Sequence, residues 1–283
     1  MRAKKQKAES SRQNAKNKIG KAKKSLLGCC FLPFAFCLLL TVFFSAPLTW
    51  AWTAAEAQEF QKANENYRKG RFEEALESYD KLLREYPQDA NLYYNLGNSY
   101  FRKGDLGKAI LAYERARFFE PRGWDIQENL NYARGLLEYR IEDKRNWYLR
   151  AGEKMMEQFT EQEIQLVGLI IYFLFVGSWS FVLFFHRGAP WGWKRKTLLA
   201  LTVLAFILSL AKQIETRVIK DAIIMTKEAE VRYGPSENDQ VALRLGEGLK
   251  VYVVDRRDDW SRVILVNGEG GWMKRAQIAE VQV

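Results

Sequence analysis

Apolar residues are concentrated in three blocks of the chain, and each block has the pattern of a membrane segment. The blocks cover residues 26–44, 164–185 and 198–211. About 20 consecutive apolar residues suffice to cross a bilayer, which the first two blocks provide. The third block is shorter, but flanking lysines and arginines can extend from its ends to the membrane surface. We therefore expect transmembrane helices over 164–185 and 198–212.

The first block is embedded in the order of an export signal. Residues 1–24 contain ten Lys or Arg and one Glu, and small residues such as Ala51 and Ala55 follow the apolar block. A basic segment, an apolar segment and small residues in this order are typical of a signal peptide. Because the apolar part is also long enough to span a bilayer, residues 1–55 are predicted to be either a signal peptide or an N-terminal membrane anchor.

The short loop over 186–197 sets the predicted orientation. It contains four Lys or Arg and no acidic residue. Short loops rich in Lys and Arg remain on the cytoplasmic side of a membrane. The regions 56–163 and 213–283 are then expected on the extracytoplasmic side of a bacterial cytoplasmic membrane, in the periplasm.

A repeat with a period of 34 residues occupies 56–89 and 90–123. The positions that recur between the two copies are Asn64/Asn98, Arg68/Arg102, Lys69/Lys103, Gly70/Gly104, Ala75/Ala109, Tyr79/Tyr113 and Pro87/Pro121. We expect the glycines to end the first helix of each copy and the prolines to end the second. The small alanines allow the paired helices to approach closely.

The repeat domain 56–145 is predicted to end in a capping helix over 124–140. Repeat arrays usually need about three units to bury a continuous core. Two copies are therefore expected to depend on a neighbouring element. A linker over 146–163 follows, and its Thr160 and Glu163 have the spacing of a capping box that begins a further helix.

The periodicity changes in the C-terminal region 221–283. Short runs rich in Val and Ile alternate there with Gly, Pro, Asn and Asp, a pattern that predicts many short strands. Some 60 residues of this kind favour a small β-barrel. Trp260 and Trp272 are expected to fill or flank its core, or alternatively to face a ligand.

Charge and reactive residues argue against an enzyme and against a nucleic-acid-binding protein. The formal net charge is +10, but residues 1–24 supply +9 of it, so the remainder has no excess for a phosphate-binding groove. The cysteines lie only in the first apolar block, and His186 is the single histidine. Thiolate zinc sites and multi-histidine metal sites are excluded from the other regions. We expect a non-catalytic protein without a cofactor, a metal or a nucleic-acid partner.

The repeat resembles the tetratricopeptide repeat. The resemblance rests on Tyr93-x-x-Leu96-Gly97-x-x-Tyr100 and on the recurring Gly, Ala, Tyr and Pro positions. In that family, first helices line a concave groove, which implies a peptide-binding role for one set of residues. That set is Asn64, Arg68, Asn98 and Arg102, flanked by Phe60 and Tyr94. The alternative is that these side chains are ordinary solvated or inter-helix residues.

The C-terminal region resembles a bacterial Src-homology-3-like (SH3-like) domain. The resemblance rests on Gly234-Pro235, Gly248, Trp260 and Gly271-Trp272 in this order. Relatives of this domain often bind cell-wall peptides, which implies peptidoglycan as a candidate ligand and Trp260 and Trp272 as candidate contacts. No catalytic Cys and His accompany the domain, so no wall hydrolase is implied.

From residue 55 onward, the order of regions resembles the BatE-like family of aerotolerance-operon proteins. The predicted fold class is a multidomain membrane protein, with an α-helical tetratricopeptide domain, two transmembrane helices and a small all-β SH3-like barrel. The resemblance implies a membrane-anchored scaffold in a Bat/MoxR-type stress or aerotolerance complex. Its implied partners are membrane proteins with von Willebrand A domains. The alternative function is a peptidoglycan-binding anchor or sensor.

Overall fold

The computed structural model describes residues 52–139, 141–160, 162–171 and 220–282, together with scattered positions between 173 and 208. The predicted signal or anchor therefore lies almost wholly outside the described residues, as does most of the two predicted spans. The described residues from Ala54 onward belong to one compact unit.

Helices make up the first part of this unit. They are α1 (Ala54–Arg68), α2 (Phe72–Glu85), α3 (Ala90–Lys103), α4 (Leu106–Phe119), α5 (Trp124–Gly135) and α6 (Trp147–Glu157). The first repeat copy consists of α1 and α2, and the second copy consists of α3 and α4. Gly70 and Gly104 follow the first helix of each copy with φ of 76° and 90°, the left-handed conformation that favours glycine. The predicted helix ends are thus confirmed at both glycines.

Small residues bring the helices of each copy close together. Ala63, Ala75 and Ala109 are completely buried. Gly97 lies against the ring of Tyr113, where an added Cβ would be only 2.6 Å from two ring carbons. A glycine at position 97 therefore lets the large tyrosine fill the space between α3 and α4, and an alanine there would overpack it.

Seven antiparallel strands follow in the described residues. They are β1 (Lys220–Ile224), β2 (Glu228–Arg232), β3 (Val241–Gly246), β4 (Lys250–Arg257), β5 (Trp260–Ile264), β6 (Gly270–Lys274) and β7 (Ile278–Glu280). They form one sheet in the order β3-β2-β6-β5-β4-β1-β7. Its core includes the fully buried Val231, Val251 and Val263.

The prediction of a closed barrel is wrong. The sheet is open, because its order ends at β3 on one side and at β7 on the other, with no pairing between these two strands. The β7 edge is short and lies against the helices, since the backbone oxygen of Glu280 accepts a hydrogen bond of 2.9 Å from Arg115 of α4. Contact with the repeat thus takes the place of strand pairing at this edge.

The repeat and the sheet share a hydrophobic core. Ala109 and Ile110 of α4 pack in one buried cluster with Ile223 of β1 and with Val281, which follows β7. Leu137, just after α5, packs against this cluster and against the core of the sheet. The sheet is thus a neighbouring element against which the two repeat copies pack, and their dependence on it stays a prediction.

The predicted class of a multidomain membrane protein with two transmembrane helices is also corrected. Among the described residues, no helix combines the length and the apolar character needed to cross a membrane. Residues 162–171 form a run of helix.

The predicted capping box at the start of that run is confirmed. The backbone N–H of Thr160 donates to Glu163 Oε2 at 3.0 Å, and the N–H of Glu163 donates to Thr160 Oγ1 at 3.2 Å. Glu163 also forms an ion pair with Arg122, which follows α4. The start of this helix is thereby attached to the end of the second repeat copy.

Candidate functional site

Each repeat copy contains the same tyrosine–asparagine hydrogen bond. The hydroxyl of Tyr79 donates to Asn64 Oδ1, and that of Tyr113 donates to Asn98 Oδ1, both at 2.7 Å. Desolvation by burial raises the pKa of Tyr79 to about 12 and also raises the pKa of Tyr113. Both hydroxyls therefore remain protonated donors at neutral pH.

These bonds fix the orientation of the two asparagine amides. Asn64 and Asn98 are half-buried, and each oxygen is occupied by a tyrosine. In the second copy, Asn129 of α5 donates a further hydrogen bond to Asn98 Oδ1 at 3.0 Å. Neither asparagine Nδ2 group donates to another described residue, so an amide donor remains available in each copy.

Aromatic rings stand beside both asparagines. Phe60 makes an edge contact with Tyr79 at a centroid distance of 6.2 Å, and Tyr94 lies 6.1 Å from Tyr113 in the second copy. Phe60 and Tyr94 are half-buried. They hold the hydrogen-bonding tyrosines in place and also leave part of their surface accessible.

The two predicted arginines differ from the lysines next to them. Arg68 and Arg102 are exposed, and neither has a carboxylate within 4.0 Å among the described residues. By contrast, Lys69 pairs with Glu65, and Lys103 pairs at 3.5 Å with Glu73. The guanidinium of Arg102 lies 5.5 Å from the ring centroid of Phe72. Among the described residues, the two arginines thus form no salt bridge, whereas the neighbouring lysines do.

The structure therefore places all six predicted groove residues at equivalent positions of α1 and α3. The geometry supports the inter-helix interpretation for the asparagine oxygens, which accept hydrogen bonds from tyrosines of the paired helices. The peptide-binding interpretation stays a prediction, and the amide nitrogens donate to no other described residue.

The two tryptophans of the sheet lie on the same face. In the pairing of β5 with β6, Trp260 is opposite Lys274 and Arg262 is opposite Trp272. Since paired residues and alternate residues share a face, both rings project away from the buried Met273. Trp272 is only 7% exposed and lies under Arg257, whose guanidinium is 5.0 Å from the ring centroid. Trp260 is half-buried and is the more accessible of the two.

Gly246 and Gly248 have a role beyond the turn that the sequence pattern predicts. A Cβ on Gly246 would lie 2.5 Å from the ring of Tyr139, and one on Gly248 would lie 2.7 Å from Leu137. Between them, Glu247 accepts a hydrogen bond of 2.9 Å from the N–H of Gly107 in α4. The β3–β4 turn is therefore a docking element for the helices. A turn glycine and a docking glycine have the same sequence pattern, so no local signal distinguishes them.

A buried carboxylate was also missed. Glu114 of α4 is only 2% exposed and forms ion pairs with Arg117 and Arg134. Arg117 also pairs at 3.1 Å with Glu157 of α6, and this network borders a cleft of about 440 Å³ between the helices and β4. Within the described residues, no three His, Cys, Asp or Glu side chains are grouped to hold a metal ion.

Comparisons with protein families agree with the two regions. Residues 51–123 match the tetratricopeptide repeat model, and residues 226–280 match the bacterial SH3 domain model. Among curated proteins, none matches the chain significantly. The repeat indicates interaction with proteins, and the bacterial SH3 domain indicates cell-wall binding.

Proposed function

We propose that the protein is a non-catalytic scaffold that captures an extended segment of a partner protein on α1 and α3. The observation that carries this proposal is the recurring arrangement of Asn64 with Arg68 and of Asn98 with Arg102. In each copy a tyrosine occupies the asparagine oxygen and leaves the amide donor available.

The chemistry of this arrangement suits a peptide backbone with acidic side chains. An asparagine amide can donate to a backbone carbonyl of an extended segment. A guanidinium can hold a carboxylate through two parallel hydrogen bonds. Because Arg68 and Arg102 have no ion-pair partner among the described residues, an incoming carboxylate would not have to displace one.

A double substitution that removes both amide donors tests this function, with a control for the charge that it adds. Asn64→Asp/Asn98→Asp retains an oxygen acceptor for each tyrosine, so the fold is expected to persist. Each lost backbone hydrogen bond is worth about 0.5–1.5 kcal/mol, so binding should weaken roughly tenfold or more. A partner would be captured with the full-length chain, and its bound segment titrated by calorimetry.

The matched control is Gln61→Glu/Asn95→Asp, which introduces the same charge on the same helices. It does not change the polar ladder, which is the set Asn64, Arg68, Asn98 and Arg102. It should leave the affinity within about twofold of the original. Equal affinities for the two double variants, with both folded, would mean that the partner binds elsewhere.

The proposal also includes the class of partner protein. The resemblance to BatE-like proteins supports a partner with a von Willebrand A domain, within a Bat/MoxR-type stress or aerotolerance complex. Capture experiments with the full-length chain would identify it by mass spectrometry. Recovery of partners without such domains would contradict this part alone. The extracytoplasmic location stays a prediction.

Cell-wall binding through the sheet is the second candidate function. It is favoured by the match to bacterial SH3 domains and by the accessible Trp260 on the face opposite the core. The full-length chain should sediment with purified peptidoglycan, and Trp260→Ala should reduce the bound fraction several-fold. Absence of sedimentation would contradict this function without affecting the groove.

A further inference from the structure

The capping helix α5 lies beside α3 and lengthens the candidate groove. Asn129 of α5 donates hydrogen bonds to the hydroxyl of Tyr94 and to Asn98 Oδ1, each at 3.0 Å. Further along the two helices, the rings of Tyr132 and Phe101 make an edge contact at 5.7 Å. The surface that begins on α1 and α3 therefore continues onto α5.

On the side of α5 that adjoins the groove, the C-terminal half carries two exposed apolar side chains. Asn129, Tyr132 and Leu136 are spaced so that they share one side of the helix. Tyr132 is 62% exposed and Leu136 is 53% exposed. The sheet packs on another side, since the next residue, Leu137, packs into the core of the sheet.

The register of the repeat shows that these residues replace the polar ladder. At a spacing of 34 residues, Tyr132 corresponds to Asn98 and Leu136 corresponds to Arg102. Helix α5 thus presents an aromatic and an aliphatic side chain at the positions where α1 and α3 each present an amide and a guanidinium. The candidate groove therefore combines amides and guanidinium groups on α1 and α3 with two exposed apolar side chains at the end of α5.

We propose that this apolar end selects partner segments in which an apolar side chain adjoins the acidic residues. The inference rests on the proposed function and specifies the ligand of the same groove. Acidic side chains complement Arg68 and Arg102, neither of which has a carboxylate within 4.0 Å among the described residues. A leucine-like or phenylalanine-like side chain would be removed from water against Tyr132 and Leu136, which favours binding. The occupant is an extended, acidic segment with one apolar anchor.

The experiment uses an array of short synthetic peptides probed with the full-length chain. Peptides that combine two acidic residues with one leucine or phenylalanine should bind at least about tenfold more tightly than peptides with the apolar residue replaced by serine. The variant Tyr132→Asn/Leu136→Arg installs the ladder residues on α5. Its preference should move from an apolar to an acidic residue at that peptide position.

The control Tyr148→Asn/Leu149→Arg makes the same two replacements on α6, where these residues are similarly exposed at 55% and 52%. It should leave the preference unchanged. Bound peptides with no apolar requirement, or an unchanged preference in the α5 variant, would overturn this inference while the groove itself stands. If no peptide binds at all, the proposed function fails together with it.

Discussion

The second helices of the two repeat copies, α2 and α4, occupy the same place in the repeat but differ on their outer surface. In α2, Glu73 and Glu77 are exposed to solvent. The equivalent positions in α4 are Gly107 and Leu111, and both are buried. A Cβ on Gly107 would lie only 2.5 Å from Glu247, so a side chain there would obstruct the sheet. Positions at which the second copy differs from the first thus coincide with the surface where the sheet packs.

The same comparison applies to a pair of equivalent carboxylates. Desolvation raises the pKa of Asp80 in α2, although much of the residue remains exposed and Arg84 and Arg115 oppose the shift. Burial would likewise raise the pKa of Glu114 in α4. There, the charges of Arg134, Lys250 and Arg117 outweigh burial and lower the pKa to about 2. The cations that α5 and β4 bring close to Glu114 therefore contribute to a pKa shift opposite in direction to that of Asp80.

The largest effect on stability is expected when Leu111 of α4 is replaced by glutamate, the residue at the equivalent position of α2. Leu111→Glu would put a charge without a partner into the core shared with the sheet. We expect the free energy of unfolding to fall by about 3–5 kcal/mol. The reciprocal change Glu77→Leu, on an exposed surface, should alter it by about 0.5 kcal/mol or less. Denaturant unfolding of the full-length chain, followed by tryptophan fluorescence, measures both values. Similar values for the two variants would mean that the sheet does not cover α4.

Acid should reveal the difference between the two carboxylates. The lowered pKa of Glu114 means that its contribution to stability is present above the unfolded value near 4.5. It is lost as the pH falls toward about 2. The contribution is about 3 kcal/mol, so Glu114→Gln should be less stable by about that amount at pH 6. The difference from the unchanged protein should shrink toward zero near pH 2.

Asp80→Asn provides the contrast in the same titration. Because the folded-state pKa of Asp80 is raised, its ionisation opposes folding as the pH rises. The variant should therefore gain relative stability as the pH rises above the unfolded value near 3.8, the opposite sign to Glu114→Gln. The assignment of Glu114 would be wrong if the difference between Glu114→Gln and the unchanged protein showed no pH dependence between 2 and 6.

Local features of the repeat were predictable from the sequence because they depend on neighbouring residues. Gly70 and Gly104 end helices through their own backbone conformation, and Thr160 and Glu163 cap a helix across three residues. The six candidate groove residues were selected because they lie at or beside positions that recur at 34-residue spacing, and their peptide-binding role stays a prediction. Tyr79 and Tyr113 recur at that spacing too, and this signal could have indicated the bonds that orient the asparagines.

Features that depend on distant parts of the chain were missed. The hydrogen bond between Gly107 and Glu247 joins residues 140 positions apart. Patterns of short strands predict a sheet but contain no information on whether its edges pair, so the closed barrel was wrong. The sequence did not assign Tyr132 and Leu136 to the groove, because their position depends on the hydrogen bonds of Asn129 that hold α5 beside α3.

Removing the tyrosine hydroxyl of one repeat copy at a time should have the smallest effect on stability. It also compares the two copies in peptide binding. Tyr79→Phe and Tyr113→Phe each delete one buried hydrogen bond, and each should reduce the free energy of unfolding by about 0.5–1.5 kcal/mol. Their effects on peptide binding should differ, because Asn98 Oδ1 keeps its bond from Asn129 whereas Asn64 Oδ1 loses its hydroxyl donor. Tyr79→Phe should therefore weaken binding several-fold, and Tyr113→Phe by less than about twofold. Calorimetric titration of both variants with the same captured segment, beside their unfolding curves, separates binding from stability. Equal losses of affinity would show that the amide of Asn64 needs no fixed orientation to bind, and that the first copy contributes to the groove mainly through Arg68.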